Sequence, residues 1–98
     1  GTGTNPDELV AAAHAGCFAM ALSLILGDAG YPPEYLEVTS TVTLDAEKLE
    51  LTGSHLVLKA KIPNIDNDKF QEFANAARDN CPISKALSIK KTVEATLV

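Results

Sequence analysis

From Leu9 to Gly27 the chain carries no charged residue, and Asn5, Pro6, Asp7 and Glu8 stand directly before that run. Asn5 suits a helix cap, Pro6 the first helical position, and Glu8 the third position of a capping box. Gly30 followed by Pro32 supplies the stop. The pattern predicts one helix starting at Pro6 and buried nearly all round. A run of about 20 apolar residues also meets the length of a membrane span. The small residues Ala11, Ala12, Ala13, Ala15 and Gly16, the polar His14 and Ser23, and the lack of basic flanks argue against that reading. A central helix wrapped by a sheet accounts for the same run.

The period then changes. Leu36, Val38, Val42 and Leu44 alternate with Glu37, Thr39, Thr41 and Thr43, the mark of a strand with one buried face. A second strand follows, with Leu56, Leu58, Ala60 and Ile62 towards the core and Val57, Lys59 and Lys61 outward. Asp66 can cap a further helix whose Phe70, Phe73, Ala74 and Ala77 recur at helical spacing. That helix must end near Asn80, because Pro82 drives Cys81 out of the helical region. Pro82 is itself a favourable first residue for a short helix through Leu87, which leaves Cys81 at a helix N-terminus. Thr92 to Val98 alternates again and reads as a closing strand.

The order predicts an α+β fold: a long buried central helix packed with an antiparallel sheet, in a single domain over residues 1–98. Three strands are few for covering so apolar a helix. The chain opens on Gly-Thr-Gly-Thr, a loop-like start without Met, so it is expected to begin partway through a larger protein, with N-terminal strands missing or supplied by another chain. Thirteen acidic against 8 basic residues give a net charge of -5 with no basic block, which makes nucleic acid and anionic membrane poor partners.

Two cysteines so far apart in sequence, with no secretory signal, suggest neither a disulfide scaffold nor a closed zinc site. A reactive or buried thiol pair in a cytoplasmic setting fits better. The plainest reading is that both are small apolar core residues. Cys81 has a physical claim to activation, since a helix N-terminus favours the thiolate and Lys85 follows within one turn; Arg78 adds to the field. Cys17 lies in the middle of an uncharged helix, where burial raises its pKa, so it needs a cation from elsewhere in the fold. An unperturbed thiol of pKa about 8.5 is already roughly 3% ionised at neutral pH, so ionisation alone gains about thirtyfold. The rest of any catalysis must come from charge placed against the breaking bond.

Thr4-Asn5-Pro6-Asp7-Glu8-Leu9, with Ala11-Ala12-Ala13-His14-Ala15-Gly16-Cys17-Phe18-Ala19-Met20-Ala21-Leu22, resembles the first cysteine motif of the OsmC/Ohr family of thiol-dependent peroxidases. Cys81-Pro82-Ile83-Ser84-Lys85 resembles its second. The resemblance covers essentially the whole chain and favours the OsmC branch. It implies a thiol peroxidase that reduces organic hydroperoxides to alcohols, with Cys17 peroxidatic and Cys81 resolving. It further implies an intertwined homodimer, a dithiol reductant of the lipoyl type, and neither metal nor nucleotide cofactor.

The family places an acid after its Asn-Pro pair, usually glutamate, to pair with an arginine beside the peroxidatic sulfur. Here that position is Asp7, one methylene shorter, with Glu8 next to it as a substitute. The simpler account of both is a first turn favoured by the helix dipole. The family's arginine comes from a segment upstream of this sequence. Arg78, the one arginine present, does not match it and reads as a solvated residue on the outer face of the second helix.

His14 shares a helix face with Cys17 and could begin a metal site, but a zinc site needs more ligands. It reads as a packed helix histidine with some scope to tune a thiol, and His55 as an exposed strand residue. Other classes of function remain: a redox sensor whose thiols pair without turnover, or a structural dimerisation domain with inert thiols. For the peroxidase, Phe18, Met20 and Leu24 are the expected lining of an apolar substrate pocket.

Overall fold

The computed structural model describes residues 6–98. The expected Asn5 cap lies outside the described residues. In chain order the elements are α1 (Pro6–Asp28), β1 (Tyr35–Asp45), β2 (Glu50–Lys61), α2 (Asn67–Asn80), α3 (Pro82–Ala86) and β3 (Lys90–Leu97). α1 stops where the glycine signal predicts. Gly30 takes a positive φ of 86°, its N–H reaches Gly27 O at 3.1 Å, and the Tyr31 N–H reaches Leu26 O at 2.8 Å. These two bonds cap the last carbonyls in a Schellman arrangement.

The sheet order is β1-β2-β3. β1 and β2 form an antiparallel hairpin with a bulge between Thr43 and Leu44. β3 pairs with β2 in parallel, from Gly53 beside Lys90 to Ala60 beside Leu97. The antiparallel expectation is therefore corrected for one of the two pairings, and the sheet is mixed. The reason is the crossover: α2 and α3 carry the chain back to the start of β2 before β3 begins, a connection only a parallel neighbour needs. Alternation along β3 shows which side chains turn inward and carries no information on strand direction.

α1 is not buried all round. Its buried side chains are His14, Phe18, Leu22 and Leu26. Each step of four residues advances about 40° around the axis, so this stripe slants across one side of the helix. Leu9, Met20 and Leu24 are left 59%, 63% and 64% exposed. α1 has the length and composition of a membrane span, but its stripe is committed to the core. Phe18, Leu22 and Leu26 pack with Leu56, Leu58 and Ala60 of β2 and with Phe70, Ala74 and Ala77 of α2.

α2 begins as its sequence dictates, with the Asp66 carboxylate accepting the Lys69 N–H at 2.7 Å. Phe70, Ala74 and Ala77 are fully buried. Phe73 is half-buried, with its ring 6.4 Å from that of Tyr31. The effect of this packing is to hold the α2–α3 junction against α1.

Candidate active site

Pro82 breaks the helical run, and Cys81 takes an extended conformation that ends α2 and starts α3. Its own N–H still bonds Ala77 O at 3.0 Å, and its carbonyl accepts the Lys85 N–H at 3.1 Å. The Ser84 backbone N–H donates to the Cys81 sulfur at 3.3 Å. Cys81 is fully buried.

The neighbouring backbone amide, that of Ile83, donates to the Cys17 sulfur, and the Cys81 thiol lies against the same sulfur. The two cysteines expected from sequence are thus brought together at one short helix start. Burial pushes the Cys17 thiol up from its ordinary range; the Ile83 amide opposes this, and the Cys81 thiol adds to it. No cation contributes among the described residues.

Cys17 is the more open of the pair. It borders a hollow of about 330 Å³ lined also by Met20, Leu24 and Ile25 of α1 and by Asn80 and Pro82. Met20 and Leu24 are where the pocket reading put them. Phe18 is not, because it points into the core and is fully buried.

The other expected site residues stand apart. Asp7 lies in the first turn of α1, roughly 15 Å along the helix axis from Cys17 at 1.5 Å per residue, with the exposed Glu8 beside it. Arg78 donates from Nε to the Asp79 carboxylate at 2.9 Å, and this guanidinium holds the Asp79 carboxyl below the usual carboxylate range. Lys85 is exposed. The lysine that does reach α3 is Lys91, whose ammonium donates to Ser84 O at 2.9 Å and Leu87 O at 2.6 Å.

His14 is fully buried and turns towards Cys81 rather than Cys17. Its Nδ1 lies 2.6 Å from Ser54 Oγ and its Nε2 2.6 Å from Ser84 Oγ. Ser54 Oγ is in turn 3.0 Å from Ser40 Oγ, and the Cys81 thiol donates to Ser84 Oγ at 3.2 Å. Both ring nitrogens are thereby taken by hydroxyls. Burial first, and the Lys91 charge second, lower the His14 pKa from 6.5, so the ring is neutral at physiological pH.

Sequence reasoning gave no role to Ser84, Ser54, Ser40 or Lys91. A signal existed for two of them: Ser54 falls in the inward phase of β2 with Leu56 and Leu58, and Ser40 in that of β1 with Leu36 and Val38. A hydroxyl on a core-facing strand position requires a buried partner.

A family model described as OsmC-like protein matches residues 1–96. The chain belongs to the OsmC family. It is 40% identical over 97 residues to Peroxiredoxin OsmC of Escherichia coli, covering 97% of this chain and 68% of that protein. It is 36% identical over 88 residues to the organic hydroperoxide resistance protein OhrB of Bacillus subtilis, covering 87% of this chain and 62% of that one. The chain thus spans about two thirds of the length of these curated OsmC-family relatives. The crystal structure of OhrB superposes over the whole chain and 73% of its own, with a TM-score of 0.67 at 30% identity. An OsmC-like protein from Mycoplasma pneumoniae shares the fold with a TM-score of 0.86 at 20% identity, over 100% of this chain and 74% of its own.

Proposed function

We propose that this chain carries the thiol chemistry of a peroxidase acting on organic hydroperoxides. The observation that carries the reading is the pairing of a half-buried Cys17, open to an apolar hollow, with a buried Cys81 against its sulfur. The names of the relatives, a peroxiredoxin and an organic hydroperoxide resistance protein, support the same class.

In this mechanism the Cys17 thiolate attacks the outer peroxide oxygen. The O–O bond breaks, the alkoxide takes a proton to leave as an alcohol, and Cys17 becomes a sulfenic acid. The Cys81 sulfur then attacks Cys17, water departs, and a disulfide remains for an external dithiol to reduce. Met20, Leu24 and Ile25 favour a substrate with an apolar tail. The first step needs a cation at Cys17, and none contributes among the described residues. Asp7 is its expected partner. The exposed Leu9, Met20 and Leu24 are the face on which a second copy closes, giving a homodimer.

The reading is tested by peroxide consumption with dihydrolipoamide as reductant, comparing cumene hydroperoxide with hydrogen peroxide and recording intact mass alongside. Turnover that prefers the organic peroxide supports it, whereas a preference for hydrogen peroxide overturns the assignment of the hollow. A second reading, a regulatory thiol pair without turnover, is favoured by the raised Cys17 pKa. A single oxidation that dithiol reverses, with no sustained consumption, is its signature.

A further inference from the structure

His14 has no part in the chemistry above, yet both its ring nitrogens are engaged in the core. The donors and acceptors along its line can be assigned from one end. Because the Cys81 thiol donates to Ser84 Oγ, the single Ser84 proton is free to point at His14 Nε2. Nε2 is then the acceptor and Nδ1 carries the hydrogen, which it donates to Ser54 Oγ. Ser54 in turn donates to Ser40 Oγ. Ser40 is half-buried and borders a surface hollow that also holds Glu8 and Ala12. Every bond in the line has one donor and one acceptor, and it runs from a buried thiol to the surface.

We propose that Ser84 and His14 form a proton relay for Cys81, carrying its thiol proton out through Ser54 and Ser40 as its sulfur attacks Cys17. This inference rests on the peroxidase reading only for the identity of the agent that oxidises Cys17. In the resolving step the Cys81 S–H proton passes to Ser84 Oγ, and the Ser84 proton passes to Nε2. The sulfur electron pair forms the S–S bond as the Cys17 S–O bond breaks. The departing hydroxide takes a proton from solvent in the hollow and leaves as water, while Nδ1 gives its proton to Ser54 and so to solvent. One proton enters and one leaves, so the ring changes tautomer and no net charge is created. When a dithiol later reduces the disulfide, the same line returns a proton to the departing Cys81 thiolate.

The surroundings of His14 suit a group that passes protons and does not keep them. Burial first, and then Lys91 of β3, oppose a charged ring. The other titratable groups near the line are Cys81 itself, Cys17 one turn along α1, and Glu8 at the outlet. β1 and β2 present only the hydroxyls of Ser40 and Ser54 to it. Arg78 of α2 is engaged with Asp79. Cys81 is fully buried, and the acceptor its thiol proton already faces is Ser84 Oγ. Ser84 and His14 are positioning and proton-carrying residues for this step; neither touches the peroxide.

The test isolates closure of the disulfide from its cause. A chromogenic aromatic disulfide, dithiobis-nitrobenzoate, reacts first at the more open Cys17; attack by Cys81 then releases a second coloured thiolate. The readout is the rate of the second release across about pH 5 to 8, with the first release as the control for general damage to the fold. In the unaltered protein the second release should level off above about pH 6.5. Ser84→Ala should slow it about a hundredfold at neutral pH and make it rise about tenfold per pH unit. Ser84→Thr, which keeps a hydroxyl, should restore the level profile. Closure in Ser84→Ala at the unaltered rate and profile would overturn the relay. So would a tenfold rise per pH unit in the unaltered protein, a result that needs no variant to fold. If cumene hydroperoxide leaves Cys17 unoxidised while this assay gives the level profile, the relay stands and the peroxidase reading falls.

Discussion

The imidazole Nε2 of His14 lies 2.6 Å from the hydroxyl of Ser84, joining positions 70 residues apart in the chain. The bond ties α3, a helix of five residues, to the first helix of the fold. Among the described residues no buried side-chain nitrogen or oxygen lacks a partner, so removing either hydroxyl beside His14 strands a ring nitrogen. Ser84→Ala and Ser54→Ala should each destabilise the protein by about 1–3 kcal/mol. Urea midpoints of the two variants against the parent measure this, and unchanged midpoints would show that water replaces the lost partner.

Acid should weaken the fold through the same residue. The His14 pKa is lowered in the folded chain from its ordinary 6.5, so between the two values the unfolded chain binds more protons than the folded one. Its contribution is fully present above pH 6.5 and is lost as pH falls through the window down to the folded value. Urea midpoints taken through that window should fall with pH, and His14→Gln should flatten the slope. A midpoint that rises on acidification would mean that the folded ring carries a charge.

The cysteine roles separate cleanly by substitution. Cys17→Ser should abolish peroxide reduction. Cys81→Ser should allow one turnover and leave Cys17 as an oxidised acid, visible by intact mass as added oxygen without a new crosslink. Equal loss of the first step in both variants would contradict the assignment.

The hollow beside Cys17 offers a test of substrate choice. Leu24 lines it while remaining 64% exposed, so Leu24→Asn touches the hollow more than the core. It should lower kcat/KM for cumene hydroperoxide by about tenfold or more and leave hydrogen peroxide nearly unaffected. Steady-state rates with both peroxides decide this, and parallel losses would place the effect in the chemistry and not in binding.

Much of the fold is legible in local pattern. Gly30, Asp66 and Pro82 punctuate the helices where expected, and the inward phase of β2 follows its alternation residue by residue. What pattern could not supply is direction and facing. The uncharged run of α1 gives little cue to which stripe is buried, because Met20 and Leu22 look alike until β2 and α2 select one of them. The parallel pairing of β3 depends on how the crossover folds back. The same limit governs the site. Cys81 could be placed at a helix start from Pro82 alone, and Cys17 could be read as lacking a local cation. Their meeting, the Ile83 amide on Cys17, and the reach of His14 to Ser84 all arise between distant segments. Lys91 fell just before the strand expected at Thr92 to Val98, and its service to the α3 carbonyls requires β3 to pass beside that helix.

Between its two cysteines the chain runs out along β1, back along β2 and through α2. A bond between their sulfurs would close all of this into a single covalent ring of about 65 residues, restricting the unfolded chain by an amount worth about 4 kcal/mol. The thiol form, the one ready to meet a peroxide, would then be the softer molecule, and the spent form the harder. Each turnover would alternate between a looser and a tighter chain, so that resistance to heat becomes a record of where the protein stands in its cycle.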